Sequence, residues 1–362
     1  MSETEAKGTV FTRIPVVDIA VLFSNDAEGK RKVAAEMADA ASNVGFLYVP
    51  GHGIPPEMIE SLEARAAEFF ADPLERKMEL YIGKSRAHRG YVPTGEEGFY
   101  DGTDPSKIDK KEAFDLSIEL PDDDPDHVRG YRMLGPNQWP PARPEMQRDV
   151  YAYYECATAL GHTIFRGFAL ALGLDENYFE SLLTKPPSQL RLVHYPADPA
   201  RAPIEEKRAE WGISAHTDYE CFTILHVTAP GLEVLNAEGC WIDAPPVEGA
   251  FVINIGDMLE AMTNGRFIAT PHRVRNVPGE RYSFPLFCAV DYDTVIEPLP
   301  HCVDGEARYP AYVAGDHLVT QTMRTFGYLK KLVAEGSLAL PENENHATAF
   351  GRPERKEERE PA

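Results

Sequence analysis

From Gln189 onward the chain breaks into short apolar segments divided by turn residues: QLRLVHYP, HTDYECFTILHV, GLEVLN, CWIDAPP, AFVINIGD, RFIATPHRVRN and RYSFPLFCAVDY. β-Branched and aromatic residues fill the segments, and Gly, Pro, Asn and Asp separate them. Many short strands at this spacing predict a sandwich or a barrel.

The residues before this run read differently. RIPVVDIAVLF opens as an apolar strand after Pro15, with Asp18 as a turn or cap residue. AEGKRKVAAEMADAASNVG has helical composition and stops at Gly45, a natural C-terminal cap. FLYVPGHGIP is a buried strand running into a Gly/Pro turn, and PPEMIESLEARAAEFFADPLERKMEL returns to helical periodicity. GYVPTGEEGFYDGTDPSKIDKKE is too long for a tight connection and reads as a functional loop or a mobile one. ELPDDDPDH is a solvated acidic turn, and RPEMQRDVYAYYECATALGHTIFRGFALALGL is helical. The expected organisation is a mixed α/β region over 12–135, a helical connection over 136–187, a β core over 188–335 and a disordered tail over 341–362. The class is mainly β with flanking α.

Charge narrows the range of partners. There are 36 basic and 58 acidic residues, a formal net charge of −22. A grip on nucleic-acid phosphates or on an anionic membrane needs clustered Lys and Arg, so both are disfavoured. A small-molecule substrate fits better; oligomeric state is not legible. The polar start MSETEAKGTVFTR lacks a signal-peptide core, which makes the cytoplasm the expected compartment. The five cysteines are scattered and form no C-x-x-C pair, so reduced thiols are expected rather than a disulfide framework.

His216 and Asp218 stand two residues apart in HTDYECFTILHV. In a strand they project to one face, and a buried aspartate there needs a partner: a cation, an arginine or water. His272, in RFIATPHRVRN, adds a second imidazole. Two histidines and one carboxylate with open positions match the facial triad of non-haem Fe(II) oxygenases. Zinc uses similar ligands, which keeps a hydrolase open as a reading. Arg281 and Ser283 then share a face of the last strand, a fork and a hydroxyl suited to clamping a carboxylate.

Taken in order, HTD, TPHRV and RYS resemble the H-x-D…H…R-x-S signature of Fe(II)/2-oxoglutarate-dependent oxygenases. IPVVDIA, GFLYVPGHGIP, GYVPTGEE and NIGDMLEAMTNGRFIATPHRV make the chain similar to the isopenicillin N synthase-like branch over roughly residues 12–335. The resemblance implies a double-stranded β-helix, or jelly roll, with N-terminal helices packed on one sheet. It implies iron on His216, Asp218 and His272, and 2-oxoglutarate held by Arg281 and Ser283. Tyr195 of RLVHYP matches a Tyr of the NYYP pattern in plant members, although Val193 and His194 replace its Asn and first Tyr. O2 would complete the reaction, giving an oxidised, most simply hydroxylated, small molecule with succinate and CO2, in secondary metabolism. A relative that oxidises without 2-oxoglutarate is the alternative within the family.

Three further residues are candidate substrate contacts. Arg191 shares the strand face of Val193 and Tyr195, and serves either a carboxylate or a salt bridge. Tyr91 and Glu96 of GYVPTGEE line the pocket mouth or belong to a solvated loop. His52 reads as structural, His194 as ordinary packing, and Asn254 as a buried hydrogen-bonding group. His226 lies about 33 Å from His216 if the strand runs straight.

Overall fold

The computed structural model describes residues 9–98, 109–197, 211–275 and 279–341. In chain order its strands are β1 (Phe46–Pro50), β2 (Gly90–Val92), β3 (Glu112–Ser117), β4 (Gln189–Tyr195), β5 (Trp211–His216), β6 (Phe222–Val227), β7 (Leu232–Leu235), β8 (Trp241–Asp243), β9 (Ala250–Ile255), β10 (His272–Arg275), β11 (Arg281–Cys288), β12 (Val295–Ile296) and β13 (Tyr312–Val313). The helices are α1 (Ala27–Asn43), α2 (Pro56–Phe70), α3 (Leu74–Met78), α4 (Pro125–Arg129), α5 (Pro144–Ala171), α6 (Asp257–Met262), α7 (Ala314–Thr325) and α8 (Gly327–Ala334).

Two antiparallel sheets form the core. The larger has seven strands in the order β1-β9-β6-β11-β4-β3-β2, and the smaller has four in the order β5-β10-β7-β8. Together they make the jelly roll. Helices cover the far side of the larger sheet. Phe165 and Phe168 of α5 meet Phe222 of β6 at ring-centroid distances of 4.6 and 5.5 Å. A Cβ on Gly161 of α5 would stand 3.1 Å from Cys288 Sγ of β11, so glycine lets the helix approach closely. With both faces covered, the central strands read as apolar runs rather than a clean alternation.

Several segments depart from expectation. RIPVVDIAVLF contributes a single bridge, Val16 to Tyr48, and a short 3-10 turn at Ala20–Phe23. Asp18 serves as a turn residue just before it, accepting from Ala20 N at 2.9 Å. HTDYECFTILHV is two strands in two sheets, not one: β5 ends at His216 and β6 begins at Phe222. The larger sheet also draws β1, β2 and β3 from residues before 136, at its two edges. The expected disordered tail lies, apart from Pro341, outside the described residues, as do residues 99–108 of the long loop.

Candidate active site

A cavity of about 160 Å³ lies between the two sheets. Alternate residues of β4 (Gln189, Arg191, Val193, Tyr195) and of β11 (Arg281, Ser283, Pro285, Phe287) line it from the larger sheet. The smaller sheet supplies His216, His272, Val274 and Leu232.

The structure brings His216, Asp218 and His272 together, but period-two alternation is not the reason. His216 and His272 face each other across the β5–β10 pairing. Asp218 sits on the loop after β5, which backbone bonds hold in place: Asp257 N donates to Asp218 O and Gly256 N to Cys221 O, each at 2.9 Å. A Cβ on Gly256 would stand 2.2 Å from Glu220 O, so the loop packs this closely only over glycine.

Hydrogen bonds assign each ligand atom. His216 Nδ1 donates to Ser214 O at 2.8 Å and His272 Nδ1 to Thr270 O at 3.3 Å. Each imidazole is left with Nε2, and both Nε2 atoms lie 3.6 Å from Asp218 Oδ1. Asp218 Oδ2 is engaged elsewhere, accepting from Thr223 Oγ1 and, at 2.7 Å, from Asn254 Nδ2. Burial and the neighbouring His272 lower the His216 pKa to about 4, so its ring is neutral at physiological pH. Burial alone would raise Asp218; the two imidazoles and the Thr223 and Asn254 bonds hold it below its ordinary value. Two neutral imidazole nitrogens and a carboxylate oxygen, all within 4.8 Å of one another, suit a divalent cation. Among the described residues no other group of His, Cys, Asp and Glu is spaced for a metal.

Asn254→Ala is expected to weaken divalent-cation binding by about 10- to 100-fold, since it leaves Thr223 alone to hold the Asp218 carboxylate. An anaerobic Fe(II) titration measures this, and unchanged affinity would remove Asn254 from the role.

Arg281 and Tyr195 are register partners on β11 and β4, with Ser283 opposite Val193. Arg281 is 1% exposed, and its Cζ lies 4.6 Å from the Tyr195 ring centroid. Its Nε donates to Ala229 O at 3.2 Å. Among the described residues, its Nη1 and the Tyr195 hydroxyl are buried without hydrogen-bond partners. Burial lowers the guanidinium pKa, and the neighbouring Tyr195 opposes the shift. A cation of this kind with open donors invites an anion.

Of the three candidate substrate contacts, Arg191 takes its salt-bridge alternative, and Tyr91 and Glu96 are not in the cavity wall. Arg191 does line the cavity, but its guanidinium is fully engaged: Nε and Nη2 donate to Asp115 at 2.7 and 2.8 Å, and Nη1 donates to Glu97 at 2.8 Å. Burial alone would lower Arg191; the facing carboxylates hold it well above the ordinary arginine value. It is the centre of a buried ion cluster rather than a hand for substrate. Tyr91 is 2% exposed, lies on β2 away from the cavity, and donates to Glu112. Glu96 also faces away, accepting from Tyr328 N at 2.7 Å, while its neighbour Glu97 lines the cavity. Arg191→Met strands the fully buried Asp115 carboxylate and leaves Glu97 with Lys111 alone, and is expected to cost about 3–5 kcal/mol of folding stability, read from urea denaturation. A loss within error would mean the cluster is solvated.

Sequence reasoning missed Glu97, Asp109, Lys111, Ser214 and Thr223 in the cavity wall. The i, i+2 spacing of Ser214 and His216 on β5 was the one available signal. Glu220 also lines the wall, where burial and the nearby Asp218 push its carboxyl up to about 8. His226, on β6 in the other sheet, bonds Glu63 at 2.6 Å and stacks on Phe284. His194 bridges Glu112 and Glu280, and His52 Nδ1 accepts from Ile54 N.

Thr322 and Thr325 of α7, and Phe326 between α7 and α8, also line the cavity. These helices are tied to residues 96–98 by bonds from Gly98 N to Thr325 O at 2.9 Å and from Gly327 N to Glu96 O at 2.8 Å.

Two family models match the chain: one for the N-terminal region of non-haem dioxygenases in morphine synthesis, over residues 14–142, and one for the 2OG-Fe(II) oxygenase superfamily, over residues 186–290. A 2-oxoglutarate-Fe(II) type oxidoreductase of Emericella nidulans is 32% identical over 350 residues, covering 94% of this chain and 99% of its own. A homoarginine-6-hydroxylase of Oryza sativa subsp. japonica is 34% identical over 335 residues, covering 88% and 99%. Among solved structures, a putative 2OG-Fe(II) oxygenase family protein of Caulobacter crescentus is 30% identical with a TM-score of 0.73, covering 90% of this chain and 99% of that one. A Neurospora crassa protein solved with alpha-KG and thymine is 28% identical with a TM-score of 0.73, covering 89% and 97%.

Proposed function

The chain belongs to the 2OG-Fe(II) oxygenase superfamily, and from that premise we propose that His216, Asp218 and His272 hold the iron while Arg281, Ser283 and Tyr195 hold 2-oxoglutarate. The protein is an oxidoreductase, a dioxygenase that uses Fe(II), 2-oxoglutarate and O2 to oxidise a small molecule. Hydroxylation, with release of succinate and CO2, is the outcome we assign. The hydroxylases among its relatives support it.

The observation that carries the residue assignments is the meeting of two features in one cavity. Three ligand atoms converge within 4.8 Å of one another, and a buried guanidinium has an Nη1 with no hydrogen-bond partner among the described residues. Bound iron supplies the activation of O2 and the coordination of a keto acid. The chain's own part is placement. Ser214 O and Thr270 O fix the imidazole tautomers, and Thr223 and Asn254 fix one carboxylate oxygen so that the other faces the histidines. Arg281 and Ser283, on the central strand β11, set how far a dicarboxylate reaches toward His216 and Asp218. The buried walls keep water from the reacting carbon.

The 2OG-Fe(II) oxygenase family match and the relatives named for 2-oxoglutarate argue against a zinc hydrolase or an oxidase that dispenses with 2-oxoglutarate. The test is succinate release by enzyme loaded with Fe(II) and 2-oxoglutarate. Succinate formation that needs both is expected; its absence under all loadings would reject the assignment. The described residues include no helix long and apolar enough to cross a membrane. We place the activity in the cytoplasm and in secondary metabolism; the five free cysteines support the compartment.

A further inference from the structure

We propose that His88 and Gln189 recognise the substrate to be oxidised, and that this substrate presents a neutral amide-like edge, a carbonyl beside an N–H, as in a carboxamide or a lactam. The inference rests on the oxygenase reading and adds the chemistry of its second ligand.

Five residues of the cavity wall carry a buried side-chain atom with no hydrogen-bond partner among the described residues: Arg281 Nη1, the Tyr195 hydroxyl, Thr217 Oγ1, His88 Nε2 and Gln189 Oε1. The first two are assigned to 2-oxoglutarate, and Thr217 stands between His216 and Asp218 in the chain. His88 and Gln189 gather at the other end. Gln189 opens β4, which Tyr195 closes about 20 Å further along at about 3.3 Å per residue, and it pairs with Phe287. Arg191 Cζ lies 5.9 Å from the Phe287 ring and 5.7 Å from the Phe326 ring. The Phe326 ring stands edge-on to His88, with centroids 4.4 Å apart.

The backbone at this end is an independent sign. His88 and Met133 both line the cavity, and both sit at positive φ, 58° and 72°. L side chains seldom adopt this region, and such strain concentrates where a protein must present particular groups to a ligand. The fully buried Arg89 ties the two residues together: Nη1 donates to His88 O at 3.0 Å and Nη2 donates to Met133 O.

The two unpartnered atoms have opposite character. Gln189 Oε1 accepts. Burial, then the Arg191 and Arg89 guanidinium groups, hold His88 well below its ordinary pKa, so its ring is neutral with one N–H. The Tyr328 hydroxyl, 2.6 Å from His88 Nδ1, takes a hydrogen bond from Arg132 and so turns its own proton to Nδ1. Nε2 therefore carries the ring N–H and donates. One donor and one acceptor suit a carbonyl and an N–H of the same ligand. The charges beside them are matched within the protein, Arg191 with Asp115 and Glu97 and Lys111 with Glu97, which favours a neutral end over a charged one. Phe287 and Phe326 give the rest of the ligand an apolar wall.

The test is anaerobic calorimetric titration of protein loaded with Fe(II) and 2-oxoglutarate, using phenylacetamide, phenylacetate and 2-phenylethylamine, which share a skeleton and differ in the polar end. Phenylacetamide is expected to bind at least about tenfold more tightly than either charged probe. Gln189→Leu, and His88→Asn, which also tolerates positive φ, are each expected to lower its affinity by about tenfold, so that the ranking of probes collapses while 2-oxoglutarate affinity is unchanged. No binding by any probe, a charged probe binding as tightly as the amide, or wild-type phenylacetamide affinity in either variant overturns the proposal. The wild-type ranking decides alone if a variant fails to fold. Titration of the Fe(II)-loaded wild type with 2-oxoglutarate separates the two readings: uptake without the amide preference sinks this proposal only, and no uptake rejects the oxygenase assignment.

Discussion

His216→Ala is expected to abolish stoichiometric Fe(II) binding and, with it, succinate formation. The residue supplies one of three atoms that converge on a single point, and its Nε2 is directed there by the Nδ1 bond to Ser214 O. Iron contributes several kcal/mol of transition-state stabilisation, so a loss of at least about a thousandfold in turnover follows. The substitution should spare the fold, because the register of β5 on β10 rests on backbone bonds. Anaerobic Fe(II) titration and succinate assay measure the two effects, and circular dichroism checks the fold. Retained iron with full activity would sink the ligand assignment.

Arg281→Met is expected to separate the cosubstrate from the metal. Removing one partner of a buried, hydrogen-bonded charge pair costs about 2–5 kcal/mol of binding, so the KM for 2-oxoglutarate should rise by about 30-fold or more while Fe(II) affinity is kept. A second readout is specific to this site. Among the described residues Nη1 is buried without a hydrogen-bond partner, and a buried charge lacking a full set of partners is a burden on folding. Methionine fills similar volume without the charge, so thermal stability of the cosubstrate-free variant should equal or exceed that of the wild type. A large drop in melting temperature with an unchanged 2-oxoglutarate requirement would make Arg281 a structural residue.

The parts of the site that were legible in the sequence are those carried by short, rigid spacings. His216 and Asp218 are near neighbours, and Arg281 and Ser283 share a strand face whatever the sheet does around them. Even there the physical reason was misread: Asp218 is placed by the bonds of its loop to Gly256 and Asp257, not by strand alternation. What stayed hidden depends on pairing or on loop path. Asp115 meets Arg191 because β3 lies beside β4 in one register, a fact that neither segment contains alone. Glu96 and Glu97 are chemically identical neighbours, and the backbone between Gly95 and Gly98, both at positive φ, decides which one faces the cavity. The jelly roll followed from the strand-rich texture and the family resemblance. The entry of β1, β2 and β3 into its larger sheet did not, because those strands come from a stretch dominated by helical patterning.

The fastening of α7 and α8 to residues 96–98 has a practical consequence for redesign. The residues proposed to hold iron and 2-oxoglutarate lie on paired strands of the two sheets or on a loop hydrogen-bonded beside them, where a changed backbone would disturb the pairing. Thr322, Thr325 and Phe326 instead belong to a segment joined to residues 96–98 by a few hydrogen bonds at the rim, where Glu97 alone is held by the Arg191 cluster and must be kept. A library confined to those segments can vary what enters the chamber while the reactor beneath keeps its dimensions. Swapping the pair together, rather than either alone, preserves their mutual bonds and is the economical unit for retargeting the enzyme.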